Sequence, residues 1–141
     1  MHSVFVDSDV IIDLLIDRQP HANASSKIFQ LSDYEKIKIG TSTLCISNIH
    51  YIIRKYLGTK KAKSVIADLI EMIDVLEVSR NHIEKALNSK IYDFEDAIQN
   101  YVACDYKNID AIITRNIKDF KSADLPVLDP ESFCKIIENE S

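Results

Sequence analysis

The stretch Ser3-Val4-Phe5-Val6-Asp7-Ser8-Asp9-Val10-Ile11-Ile12-Asp13-Leu14-Leu15 decides the fold. Ser3 to Val6 reads as a short buried strand that ends in an acid, Asp7. From Asp9 to Asp17, Val10, Leu14 and the neighbouring isoleucines fall at helical spacing, until Arg18-Gln19-Pro20 breaks the run.

The alternation continues outward from there. A helix is expected over His21–Leu31, with Ala24, Ile28 and Leu31 inward. Lys36-Ile37-Lys38-Ile39 alternates like a strand that Gly40 ends. Thr43–Leu57 is amphipathic, with Cys45, Ile49, Ile52, Ile53 and Tyr56 on one face and Gly58 as its stop. Helices at Lys60–Met72 and Ser79–Leu87 flank a strand at Val75–Val78. Asp93 caps a helix running to Tyr106. Asp110–Thr114 and Pro126–Leu128 supply two more strands, and Asp129-Pro130-Glu131 opens a last helix to about Glu138. Short strands joined by helices imply an α/β fold with helices on both faces of a mostly parallel sheet, with right-handed crossovers. The 141 residues fit one domain over 1–141, with no linker, repeat or low-complexity segment.

Composition narrows the class. Hydrophobic residues make up 46% and charged residues 28%, values of an ordinary globular chain. The apolar runs are far too short to span a membrane. Asp7, Asp9 and Asp13 interrupt the N-terminal apolar stretch, so no signal peptide is visible and a cytoplasmic location is the default expectation. Cys45, Cys104 and Cys134 are widely spaced in apolar helical contexts and read as buried thiols, with no CxxC spacing for zinc. His2, His21, His50 and His82 are scattered and read as surface or packing residues. The net charge of −5 argues against a simple nucleic-acid binder, but its distribution does not. Lys36 to Ala67 holds no acid and carries Lys36, Lys38, Arg54, Lys55, Lys60, Lys61 and Lys63, while the remainder holds all 22 acids. Such asymmetry separates a phosphate-facing surface from an acidic site, or marks a solvated helical surface.

Ligand sites in parallel sheets lie beyond the carboxyl ends of strands, which directs attention to the acids there. Asp7 ends the first strand; taken alone it is a site residue or a helix cap. Asp13, a turn deeper, reads as exposed or as a structural partner. Asp96 falls on the side of its helix that carries Asn100 and Ala103, nearly opposite Phe94, Ile98 and Tyr101. That side is either a solvent face or the wall of a cleft. Asp93 and Glu95 are capping or rim groups. Asp119 follows the fourth strand by a short loop, whereas Asp110 opens that strand and belongs at the opposite edge. Converging carboxylates at Asp7, Asp96 and Asp119 cannot all stay ionised without a cation. Mg²⁺ or Mn²⁺, hard ions that take oxygen ligands, is the expected partner. No phosphate loop, dinucleotide glycine motif or Ser-His-Asp order competes for the site.

These residues carry a family pattern. Val6-Asp7-Ser8-Asp9-Val10 with the apolar run after it resembles the opening strand and helix of the PIN-domain family, usually Asp-Thr-Asn-Val. Asp93-Phe94-Glu95-Asp96-Ala97-Ile98-Gln99 resembles its third acidic motif, and Thr114-Arg115-Asn116-Ile117-Lys118-Asp119-Phe120 its C-terminal signature. The resemblance covers nearly the whole chain, with the motifs in order. It implies a three-layer α/β/α fold with a five-stranded parallel sheet. It also implies an Mg²⁺- or Mn²⁺-dependent endoribonuclease, homodimers, and often a small antitoxin partner, as in the VapC-like toxins of bacterial toxin–antitoxin pairs. Carried over, Asp7 and Asp96 become metal ligands and Asp119 a direct or water-mediated ligand. Two positions depart: Asn48, in Ser47-Asn48-Ile49-His50-Tyr51, stands where the family has a Glu, and Asn116 where many members have an acid. A branch of the family carries this Asn form.

The resulting expectation is phosphodiester hydrolysis in RNA. Asp7, Asp96 and Asp119 hold metal, and Asn48 and Asn116 orient its waters. Ser8 or Thr114 assists. Arg54, Lys55 and Arg115 neutralise the RNA backbone. Apolar surface on the Lys60–Met72 and Ser79–Leu87 helices suits a dimer. The alternative is an RNA-binding or protein-interaction module with little catalysis, which the two asparagines favour. A receiver-type domain also clusters acids at strand ends, but it needs a Lys after the last strand, and Leu128-Asp129-Pro130 has none.

Overall fold

A computed structural model describes residues 2–140. In chain order its elements are β1 (His2–Val6), α1 (Ser8–Leu15), α2 (His21–Asp33), β2 (Ile37–Ser42), α3 (Thr43–Leu57) and α4 (Thr59–Met72). They continue with β3 (Asp74–Leu76), α5 (Arg80–Leu87), α6 (Phe94–Cys104), β4 (Ile109–Ile113), a 3₁₀ turn (Ile117–Phe120), β5 (Val127–Leu128) and α7 (Pro130–Asn139). All five strands are parallel, in the order β3-β2-β1-β4-β5. The α/β reading of the sequence therefore holds.

Strand β1 lies at the centre and is fully covered: Val4, Phe5 and Val6 have no exposed surface, as a parallel strand with helices on both faces requires. Its neighbours are β2 on one side and β4 on the other, so the strand order reverses at β1. That makes the carboxyl ends of β1 and β4 the switch-point crevice. The core closes round Ile11, Ile28, Ile39, Ile49, Ile53, Ile112 and Ile113.

Three local expectations need correction. Gly40 does not end β2, which runs on to Ser42. The glycine is there because the ring of Tyr106 lies against it: a Cβ would meet Tyr106 Cε2 at 2.5 Å. Strand β3 stops at Leu76, shorter than the alternation suggests, and begins at Asp74, whose carboxylate accepts the Tyr106 hydroxyl. Cys104 is exposed, while Cys45 and Cys134 are buried as expected; it lies in the last turn of α6. Asp110 does sit at the far edge, where His2 bridges it (2.7 Å) to Glu140 (2.9 Å). His82 is a packing residue: it closes the capping box of α5 with Ser79 and reaches Asp105 at 2.6 Å.

Candidate active site

Asp7 is the residue from which the site is built. Its backbone N–H donates to Ile113 O at 2.9 Å, which ties the end of β1 to the end of β4. Its side chain caps α1, accepting from Ser8 N at 2.8 Å on one oxygen and from Thr114 Oγ1 at 2.9 Å on the other. Both readings of Asp7 thus coexist: it is a cap, and it stands at the crevice. Burial pushes its carboxyl up, Asp119 pushes it further, and the hydrogen bonds from Thr114 and Ser8 and the charge of Arg115 pull it back.

Asp96 comes in from α6, whose Asp93 caps it by accepting from Asp96 N at 2.9 Å. The solvent-face reading fails. Asn100 and Ala103, on the same side of the helix, have no exposed surface, while Phe94, on the other side, is 45% exposed. This side packs inward, with Asn100 held by Asp124. Asp96 is half-buried there and its carboxyl is pushed up to about 7 by burial, then by Asp7, Asp93, Asp119 and Glu95. Asp119 is exposed on the 3₁₀ turn after β4. The structure therefore brings Asp7, Asp96 and Asp119 within reach of one another's charge.

Asp13 is not exposed. It has no accessible surface and is gripped by Arg115 (Nε 2.6 Å, Nη2 3.2 Å) and by Arg18 at 3.4 Å. Of its two readings, structural partner is the right one. Arg115 was expected to face RNA, and two of its nitrogens are instead committed to Asp13. Only Nη1 is left outside that grip. Its charge still reaches Asp7 and Asp9.

The sequence reading takes Asp9 only as an acid that could cap α1, not as a site residue. Asn116 Nδ2 donates to its Oδ2 at 2.8 Å, while Oδ1 is buried without a partner. Burial and then Asp7 push its carboxyl up to about 7. A signal for it was present: Asn116 is neutral where the resemblance expects an acid, and Asp9 is an extra acid two residues past Asp7. Asn116 is thus an anchor for Asp9, and its own N–H donates to Thr114 Oγ1 at 3.1 Å. A second unread contact is buried Asn100, which donates to Asp124 Oδ2 at 3.0 Å and accepts from Asp124 N at 3.2 Å. It pins the loop after Asp119 to the helix that carries Asp96.

The remaining candidates lie further out. Asn48 is half-buried on α3, whose first turn abuts the site: the Cys45 thiol is pushed up by burial and then by the charge of Asp7. Ser8 touches Asp7 through its backbone N–H. Arg54 and Lys55 are exposed about three turns along α3 and make no contact with the carboxylates.

The donor set is all oxygen and suits a hard divalent cation. Asp7, Asp9 and Asp96 are all held toward their protonated forms by burial and mutual repulsion, and Asp9 Oδ1 is an unsatisfied buried acceptor; a cation relieves both conditions. Among the described residues no three His, Cys, Asp or Glu side chains close round a single point. Mg²⁺ does not require that, since it is usually held by one or two carboxylates and keeps several waters.

Known proteins share this sequence pattern and fold. Residues 3–118 match the model of the PIN domain family. Over 137 residues the chain is 29% identical to a protein named Ribonuclease VapC1 from Aquifex aeolicus, covering 94% of this chain and 93% of that one. It superposes on VapBC2 from Rickettsia felis bound to a DNA fragment from its promoter, with TM-score 0.66 and 15% identity over 90% of this chain and 97% of that chain. It also superposes on Mycobacterium tuberculosis VapC20, described as a sarcin-ricin loop cleaving toxin, with TM-score 0.60 and 18% identity over 77% and 86%. At these identities the two structures speak for the fold.

Proposed function

The chain belongs to the PIN-domain family, and on that premise we propose that it is a metal-dependent endoribonuclease, the toxin of a toxin–antitoxin pair. The observation that carries the reading is the meeting of Asp7, Asp96 and Asp119 at the carboxyl ends of β1 and β4, where each carboxyl is close enough to disturb another. The ribonuclease relative, alike over 93% of its length, supports it.

Asp7 and Asp96 are the groups that would hold Mg²⁺ or Mn²⁺, with Asp119 binding directly or through water. When bound, such an ion lowers the pKa of water and neutralises charge that builds on a phosphate during in-line attack. The chain's own residues do the rest. Thr114 and Ser8 fix the Asp7 carboxylate, and Asn116 fixes one oxygen of Asp9 while the other stays buried without a partner. Asn48, uncharged, can orient a water but adds no charge, which lowers the cation affinity of the site relative to one with a fourth acid. The cations of α3 and α4 neutralise RNA phosphates.

Asp7→Asn keeps the cap on α1 but removes the central charge. In Mg²⁺ or Mn²⁺ it should lose cleavage of a labelled RNA by roughly 10²-fold or more, with its circular dichroism unchanged. Undiminished cleavage by that variant would sink the reading. Asn48 favours a second one, an RNA-binding or protein-interaction module with little catalysis; wild-type protein that binds RNA but shows no metal-dependent cleavage at millimolar Mn²⁺ would establish it.

The VapBC assemblies among the structural relatives support an antitoxin partner. For a homodimer, exposed Ile70 and Met72 on α4 and Ile83 and Leu87 on α5 provide apolar surface, and light scattering of the isolated chain tests it.

A further inference from the structure

Helix α3 leads away from the acidic site and carries an unusual surface. Asn48, Tyr51 and Lys55 are spaced i, i+3, i+7, so they form one row along the helix, with Arg54 beside it. Tyr51 is 53% exposed. The Arg54 guanidinium lies 4.8 Å and the Lys55 ammonium 4.5 Å from the centre of its ring. Neither cation forms an ion pair among the described residues. No acid lies anywhere between Lys36 and Ala67 to neutralise them. More than half of the Tyr51 side chain is thus open to solvent, with two cations against its ring and no acid paired to either among the described residues. It is also close to the chemistry: six residues separate Tyr51 from Cys45, which feels the charge of Asp7, a helical rise of about 9 Å.

We propose that Tyr51, with Arg54 and Lys55, is a docking platform for an unpaired base of the RNA substrate and the phosphates on either side of it. A ring with cations against it presents a flat π surface and positive charge together, which suits a splayed-out nucleotide. A duplex, whose bases are stacked inside, offers the platform only its phosphates. The platform thus selects single-stranded or looped RNA and leads it along α3, past Asn48, to the carboxylates. This inference rests on the ribonuclease reading for its choice of RNA as ligand.

The sequence contains no tryptophan, so a Tyr51→Trp variant carries a single indole reporter at the platform. It is titrated in EDTA, which prevents cleavage, with a single-stranded oligoribonucleotide and with a duplex of the same sequence. Quenching of the indole by the single strand, with little quenching by the duplex, is the expected result. In the same buffer Tyr51→Ala should bind the single strand roughly 5- to 100-fold more weakly, while Tyr51→Phe, which keeps the ring, should bind as wild type does. Arg54→Ala and Lys55→Ala should each flatten the dependence of affinity on salt. Single-strand binding without indole quenching, or unchanged affinity in Tyr51→Ala, overturns the platform and leaves the ribonuclease reading standing. Quenching by an acidic protein partner but not by RNA overturns it equally. Wild-type protein with no affinity for any RNA overturns both.

Discussion

Individual carboxylates do different work at one end of this sheet, and burial with its partners decides which. Asp13 and Asp9 lie four residues apart on α1, yet one is neutralised by two arginines and the other is left with an unpartnered oxygen. Asp13 is therefore structural. Arg115→Ala leaves a buried carboxylate with Arg18 alone at 3.4 Å and should cost about 3 kcal/mol in urea unfolding. Asp13→Asn should cost less, because both arginines reach solvent and can rehydrate; the reverse order would contradict this assignment. Asp9 should show itself in pH dependence. Its folded-state pKa of about 7 lies above the ordinary carboxylate value, so the fold binds more protons than the unfolded chain between the two. The contribution is most favourable below about pH 4 and is lost as pH rises to about 7. In EDTA, wild type should lose more stability between pH 5.5 and 7.5 than Asp9→Asn does; parallel losses would remove Asp9 from the group of perturbed acids.

The elements show what the sequence made legible and what it did not. Helical and strand periodicities located each helix and strand of the fold, because a parallel sheet covered on both faces leaves continuous apolar strands between amphipathic helices. Caps were readable at Ser79, Asp93 and Asp129, which all accept from the first turn of the helix that follows, whereas Ser42, which caps α3, was not. Contacts between distant parts of the chain were not readable. Gly40 looked like a strand terminator because its reason for being glycine, the Tyr106 ring, lies more than sixty residues away. That ring cannot swing aside freely, since its hydroxyl is held by Asp74 on the neighbouring strand β3. Gly40→Ala should accordingly destabilise by about 1–3 kcal/mol through overpacking, read as a lower thermal midpoint, and an unshifted midpoint would show that the ring is free to move. The inward side of α6 was ambiguous for a similar reason. Its buried polar residue Asn100 looks like a surface residue until Asp124 is seen to use both ends of its amide.

At the scale of the whole molecule, the fold separates charge. Asp7, Asp9, Asp96 and Asp119 lie toward the end of the sheet where β1 and β4 stop, and the acid-free span from Lys36 to Ala67 provides β2, α3 and most of α4. The topology makes these neighbours, because β2 pairs with β1 and delivers α3 to the same end of the sheet as Asp7. An acidic centre bordered by a basic surface fits a substrate that is itself a polyanion cut at a metal. No described helix is long and apolar enough to cross a membrane. Motif order was enough to bring Asp7, Asp96 and Asp119 to the same end of the sheet, where Asp119 acts on the carboxyls of the other two. The anchoring of Asp9 by Asn116 needed three dimensions, because it joins the first helix to a loop 107 positions further along. The most direct measurement is the anomalous difference map of a crystal soaked in millimolar Mn²⁺. The expected result is a peak contacted by Asp7 and Asp96, with Asp119 bound directly or through water. A map with no peak among these carboxylates, or with Mn²⁺ held only elsewhere on the protein, would contradict the account.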